Sequence, residues 1–314
     1  MAGKTLERDG ILTDKPVLEW FDLDSEEMWG WGTVAPVVVL YLFVSVLPIG
    51  FAIYASFHDV RLLNPQWEFV GLRNYFEVLS MGRFWTSLWL GAVFMIGSTV
   101  LQLAVGLWMA LVLNRISFGQ KIMTAVVFTA YLVPTVIIVL VSLYMLDVEV
   151  GILHVAGSSI GLWEERAFAL GQTTWAMPLI VLIGSWKFSV FVTIFTLAQL
   201  RAIPSRFYEA AKIAGATRWQ MFRDITLPRI MGVLLIAVLL RAIFMFNKFD
   251  IIWMLTQGGP AWATSTLPIL AYRTTFEGGT YGLGNAMAVV MFLFLMMGAV
   301  AYFKLFNPSE EVET

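Results

Sequence analysis

The chain has 314 residues, of which 59% are hydrophobic and 13% charged, with a mean hydropathy of +0.78. Soluble domains average about 25% charged residues, so this composition excludes an ordinary globule. A net charge of −2 without any Lys/Arg run excludes a nucleic-acid surface and a polybasic lipid anchor, and zero cysteines exclude disulfides, thiolate metal sites and a cysteine nucleophile.

The first 32 residues are polar and set Lys4, Arg8 and Lys15 against eight carboxylates. No basic segment leads directly into an apolar run, so no cleaved leader is expected. Six apolar stretches follow, at 33–57, 86–113, 122–146, 175–200, 230–255 and 281–303. Each exceeds the roughly 20 residues that cross a bilayer as a helix, which predicts an all-α membrane protein with six transmembrane helices. Connections 114–121 and 201–229 hold eight cations (Arg115, Lys121, Arg201, Arg206, Lys212, Arg218, Arg223 and Arg229). The other three connections hold five: Arg61, Arg73, Arg83, Arg166 and Arg273. Basic residues accumulate on the cytoplasmic side, so both termini and the 201–229 loop are expected to be cytoplasmic.

Gly91, Gly97 and Gly106 in the second stretch and Gly282, Gly284 and Gly298 in the sixth read as close helix contacts. Pro36, Pro48, Pro134 and Pro178 predict kinks rather than breaks. Trp29, Trp31, Trp85, Trp175, Trp253 and Trp262 fall near the span ends, as in an interfacial aromatic belt, with sugar stacking as a second use. Segment 58–85 reads as a turn at Asn64-Pro65 and Gly71 followed by a short amphipathic helix on the outer surface. Segment 147–174 is Gly-rich. His58 and His154 are isolated, and neither reads as a metal ligand.

The loop 202–228 reads AIPSRFYEAAKIAGATRWQMFRDITLP. Pro204 ends the fourth span, Ser205 is placed to cap a new helix, and Glu209 is expected in its first turn, at the positive end of the dipole. Gly215 follows eight or nine helical residues, where a left-handed position favours glycine, and Thr217 with Gln220 forms a capping box for a second helix. Leu227-Pro228 closes that helix. Ala210, Ala211, Ala214 and Ala216 keep the elbow slim enough to enter a partner's cleft.

Glu209-Ala210-Ala211, Gly215, Ile225 and Leu227-Pro228, at their spacing between a fourth and a fifth span, resemble the EAA loop of permease subunits in binding-protein-dependent ATP-binding-cassette importers. The resemblance implies that Glu209, Ala210, Ala211, Gly215, Leu227 and Pro228 belong to the contact that couples the permease to an ATPase. Phe246-Asn247-Lys248-Phe249-Asp250 through Thr256, then Gly258-Gly259-Pro260 and Tyr272-Arg273-Thr274-Thr275-Phe276, resemble the fifth span and outer loop of maltose-type sugar permeases. Val70-Gly71-Leu72-Arg73-Asn74-Tyr75 is similar to the same carbohydrate group, with its glycerol-phosphate and trehalose relatives.

The resemblance covers residues 33–306 and divides the chain into a cytoplasmic tail 1–32, a six-helix permease domain 33–306 carrying the coupling loop 201–229, and a tail 307–314. It implies the type I importer architecture, a second homologous permease, two ATPase subunits that bind ATP and Mg, an external solute-binding protein and a location in the bacterial or archaeal cytoplasmic membrane. The resemblance thus makes the chain a non-enzymatic subunit without cofactors of its own. In agreement, its Gly-Lys pair, Gly3-Lys4-Thr5, lacks the earlier glycine and strand of a phosphate loop.

Lys187, Arg241 and Lys248 lie within the apolar stretches, where a cation costs about 2.5–3.5 kcal/mol on insertion scales and needs a partner or a watery cavity. Arg241 and Lys248, seven apart, are expected on one face of the fifth helix with Phe244 between them. With Asn247 and Asp250 they are candidates for a translocation path. The alternative is structural pairing, with Lys187 or Lys248 bonded to Asp250 or to backbone carbonyls. Gln102, Thr193, Gln199 and Asn247 offer further hydrogen bonds. Asp250 alone is acidic within the spans, which disfavours an ion-coupled carrier. An ATP-independent channel, a secondary carrier and a membrane scaffold are the competing readings, and none of them needs the EAA spacing.

Overall fold

A computed structural model describes residues 25–62, 64–116 and 118–306. The tail up to residue 24, with Gly3-Lys4-Thr5, and the tail 307–314 lie outside them. The chain divides into two units, 1–52 and 53–314.

In the first unit, α1 (Ser25–Tyr41) continues through a π-helical turn at Leu42–Val46 into α2 (Leu47–Ser56), which runs on past the boundary at residue 52. Pro36 lies inside α1 without breaking it. The π turn ends two residues before Pro48, whose missing amide and bulky ring disturb the preceding helical turn. Trp31, Val37 and Phe43 stand exposed, an apolar surface that suits lipid.

In the second unit α2 is followed by a hairpin where a turn is expected, β1 (His58–Arg61) and β2 (Asn64–Phe69), paired antiparallel with a bulge between Asp59 and Arg61. It leads into α3 (Arg73–Ser80), the expected amphipathic helix. Long helices follow: α4 (Gly82–Arg115), α8 (Thr173–Ala202), α11 (Leu227–Phe246) and α14 (Tyr281–Phe306). Between α4 and α8 stand α5 (Gln120–Leu132), α6 (Thr135–Met145) and α7 (Ile152–Ser159). Between α8 and α14 lie α9 (Ser205–Ile213), α10 (Arg218–Met221), α12 (Asp250–Thr256) and α13 (Leu267–Tyr272).

Among the described residues, five helical segments are long and apolar enough to cross a membrane, with a sixth if the bent pair α5–α6 is one span. That pair turns by 90° at Pro134. A kink was expected there; instead Val133 and Pro134 leave helical geometry (ψ 124° and 140°), because proline disfavours the α conformation in the residue before it. The fifth apolar stretch is also broken, with α11 ending at Phe246 and α12 starting at Asp250.

The packing axis is α4 against α8. A Cβ on Gly106 would sit 2.6 Å from Val192 Cβ and 2.7 Å from the Ser189 carbonyl, so glycine is what lets these helices approach. Thr193 then donates to the Gly106 carbonyl at 3.2 Å. Gly282 is pressed against the His58 carbonyl and Gly284 against the Thr275 hydroxyl, whereas Gly298 faces open space. One apolar core, around Leu113, Leu200 and Ile230, lies at the end of the helices that carries the 201–229 loop; another, around Leu146, Leu170 and Ile252, lies toward the opposite end. Segment 147–174 holds α7 and a short turn at Ala169–Gly171, with His154 buried and its Nε2 2.9 Å from the Glu165 carbonyl.

Candidate functional site

Two regions gather the residues singled out in the sequence. The first is the loop after α8. Helix α9 begins at Ser205, which makes no side-chain cap, so Glu209 lies in the second turn and not the first. Helix α9 ends in a Schellman arrangement: the Gly215 amide donates to the Lys212 carbonyl at 3.0 Å and the Ala216 amide to Ala211 at 2.9 Å, with Gly215 at φ +77°. The second helix then starts on the expected capping box, Thr217 Oγ1 accepting from the Gln220 amide at 3.3 Å while Gln220 Oε1 accepts from the Thr217 amide at 2.7 Å.

Leu227-Pro228 does not close that helix. A π-helical turn at Phe222–Thr226 carries α10 straight into α11, with Pro228 at the start of α11. The same offset occurs at Pro48, so in both places a widened turn accommodates the proline and keeps the helix continuous. Tyr208 and Thr226 tie the two arms of the loop by a 3.0 Å hydroxyl contact, and the Arg229 guanidinium lies 3.7 Å from the centre of the Phe207 ring. Glu209, Ala210 and Gly215 are exposed. Flanking them are two large apolar side chains that the sequence reading did not single out, Ile213 (90% exposed) and Trp219 (66%).

The second region is the break between α11 and α12. Arg241, Asn247, Lys248 and Asp250 line one cavity of about 490 Å³, together with Tyr131, Phe188, Phe244, Met245 and Phe249. Phe188 lies midway along α8, and the bend at Pro134 closely follows Tyr131, so two helix interruptions border the cavity. Unwound backbone inside a membrane is tolerated where it is buried in protein or lines such a space. Lys248 lies beyond the helix and not on its face with Arg241, because α11 stops at Phe246.

The cations are arranged about Phe188: Lys248 Nζ is 4.4 Å from the ring centre, Lys187 Nζ 5.2 Å and the Arg241 guanidinium 5.2 Å. The negative face of a ring attracts cations at such distances. Lys248 pairs with Asp250 at 2.9 Å. Arg241, 3% exposed, donates from Nε to Gln102 Oε1 at 2.7 Å, and Gln102 itself is fully buried. Lys187 does not line the cavity; it is buried and donates to Thr135 Oγ1 at 3.2 Å. Gln199 is turned to the Arg229 carbonyl instead, at 3.2 Å. Three of the walls, Tyr131, Phe188 and Phe249, went unremarked as site residues; the only sequence signal for them was an aromatic ring beside each break or cation.

Toward the opposite end of α12 from this break, Gln257, Ala261 and Trp262 all have positive φ (51°, 45° and 68°), and the Arg83 and Arg273 guanidinium groups lie 4.1 and 4.8 Å from the Trp262 ring centre. Among the described residues, no three His, Asp or Glu side chains gather as metal ligands.

Residues 102–309 match the family described as "Binding-protein-dependent transport system inner membrane component". The trehalose/maltose transport system permease protein MalF of Thermococcus litoralis is 35% identical over 279 residues, covering 89% of this chain and 94% of that protein. The trehalose transport system permease protein SugA of Mycobacterium tuberculosis is 30% identical over 277 residues, 88% of each chain. In fold, the chain is similar to one from a bacterial ABC transporter involved in import of the acidic polysaccharide alginate, with a TM-score of 0.79, 20% identity, and coverage of 91% of this chain and 97% of that one.

Proposed function

This chain belongs to the inner membrane components of binding-protein-dependent transport systems, and from that membership we propose that it forms one half of the path by which an ATP-driven importer moves a sugar across the membrane. It is a multi-pass membrane permease. The cavity at the α11–α12 break carries the substrate reading: a mid-bundle space combines ring faces, which stack on the C–H faces of a sugar, with Arg241, Asn247 and Asp250, which offer donors and acceptors to its hydroxyls. Lys248, held by Asp250, leaves Arg241 as the cation without a carboxylate partner among the described residues, and Gln102 fixes its direction.

Energy enters at the other region. The elbow formed by α9, Gly215 and α10 is the docking element for an ATPase subunit, with Glu209, Ala210, Ala211 and Gly215 at the contact and Ile213 and Trp219 as its apolar anchors. Its second arm is continuous with α11 through the π turn and Leu227-Pro228, so movement at the elbow is carried along about 40 Å of helix to the cavity. In this account both termini and the elbow are cytoplasmic. The assembly contains a second, unlike permease, two ATPase subunits that bind ATP and Mg, and an external solute-binding protein that delivers the sugar.

Purified complex in proteoliposomes tests this. ATP-dependent uptake of a maltose- or trehalose-type sugar, present only with the binding protein outside, is the expected result. Uptake by this chain alone under an ion gradient contradicts it, and subunit masses showing this chain with ATPase and no second permease contradict the unlike pair.

A further inference from the structure

At the end of the helices that carries the loop, a second cavity of about 570 Å³ lies under the elbow. Its lining is graded. Leu111 and Leu200 sit within the last turn or so of α4 and α8, on the membrane side, and Met221 and Phe222 add further apolar surface. Around them stand three cations from three segments: Arg115 at the last residue of α4, Lys212 near the end of α9 and Arg218 at the start of α10. Asn114 and the Tyr208–Thr226 hydroxyl pair supply polar wall. Among the described residues, no carboxylate lines this cavity and none of the three cations forms an ion pair.

The three cations are exposed to one space that holds no opposite charge from the described residues, so an anion placed there is attracted by all three. The apolar floor at the level of the helix ends favours an amphiphilic anion over a fully hydrated one. We propose that this cavity binds the phosphodiester headgroup of an anionic membrane lipid, with Arg115, Lys212 and Arg218 on the phosphate and the first acyl carbons against Leu111, Leu200 and Phe222. Basic pockets between membrane helices are sites of this kind. Because Lys212 and Arg218 belong to opposite arms of the elbow and Arg115 to α4, the lipid joins the elbow to the bundle. The inference does not rest on the transport reading, since it needs only a membrane and this cavity.

Native mass spectrometry of the purified complex, exchanged into nanodiscs of phosphatidylglycerol or of phosphatidylcholine and then released, reads the retained lipid directly. One phosphatidylglycerol retained per copy of this chain, and no phosphatidylcholine, is expected. An anionic headgroup gains roughly fivefold in affinity per neighbouring cation, so the double variant Arg115→Gln/Arg218→Gln loses about 25-fold in retention, while Arg115→Lys/Arg218→Lys, which keeps the charges, retains the lipid. Equal retention in wild type and the Gln variant overturns the proposal, as does a complex that holds no lipid in the cavity because a partner subunit covers it. Displacement of the lipid by 10 mM inorganic phosphate as readily as by added phosphatidylglycerol reassigns the site to free phosphate and also overturns it. Variants can be scored this way even if uptake fails, so loss of transport leaves the lipid result interpretable.

Discussion

The elbow at 205–226 and the break at 247–249 are both places where a membrane helix pattern stops, yet they are built in opposite ways. The elbow is exposed and held by local contacts: a Schellman end at Gly215, a capping box at Thr217 and one hydroxyl pair. The break is half-buried and held by contacts between distant segments, such as Arg241 with Gln102, 139 positions apart, and Phe188 with Arg241 and Lys248. A loop built from local motifs can be presented to another subunit without weakening the bundle. A cavity built from long-range polar contacts cannot be altered without disturbing the fold.

The largest effect tests the first half of that contrast. Gly215→Asp places a side chain at φ +77°, a strain of about 1–2 kcal/mol, in space that is open within this chain. Uptake and sugar-stimulated ATPase are expected to be lost while the thermal midpoint of the detergent-purified complex barely moves; normal uptake at equal expression would remove the elbow from the coupling route. Gln102→Leu tests the second half. It strips the buried Arg241 of its neutral acceptor and is expected to destabilise by about 3 kcal/mol, read as a lowered thermal midpoint. An unchanged midpoint would mean that Arg241 does not depend on this contact.

Smaller effects sharpen the boundary between tight and loose packing. Gly106→Ala overpacks the α4–α8 contact and is expected to cost about 2 kcal/mol, whereas Gly298→Ala, with nothing near its Cβ, is expected to leave stability unchanged or slightly raised. Similar melting curves for the two would show that the helices can shift to accept a methyl group. Thr217→Ala removes one arm of the capping box, with an expected loss of about 1 kcal/mol of local stability. Hydrogen exchange confined to 217–221 would register it, and exchange spreading into α11 would show that the elbow is less local than its bonds imply.

The same division explains what could be read from the sequence. The Gly215 conformation and the Thr217–Gln220 box depend on residues a few positions apart, so their pattern was legible. Ser205 misled because Pro204 already serves as the residue before the helix, and Leu227-Pro228 looked like a stop because nothing in the sequence marks a π turn that lets a helix run through a proline. The six apolar stretches were visible as runs. The 90° turn at Pro134 was not, since Pro178 stays inside α8 without a break, so a proline in an apolar run does not by itself mark a bend. At the cavity, Arg241, Lys248 and Asp250 stood out because charge in an apolar run is conspicuous, and Asn247 as a hydrogen-bonding side chain beside them; Lys187 stood out for the same reason but does not line the cavity. Phe188 and Tyr131 were invisible as site residues, being aromatic positions among many whose meeting with Arg241 is decided by α5, α8 and α11 together.

The absence of native cysteine allows one measurement aimed at the cavity itself. In an Asn247→Cys complex reconstituted with its partners, the rate of modification by a small methanethiosulfonate reagent is followed with and without ATP, binding protein and transported sugar. Asn247 lines the cavity and is exposed to it, so sugar is expected to slow modification several-fold, and only when ATP and the binding protein are both present. A rate unaffected by sugar under turnover, in a variant that still transports, would contradict the assignment of the α11–α12 break to the translocation path.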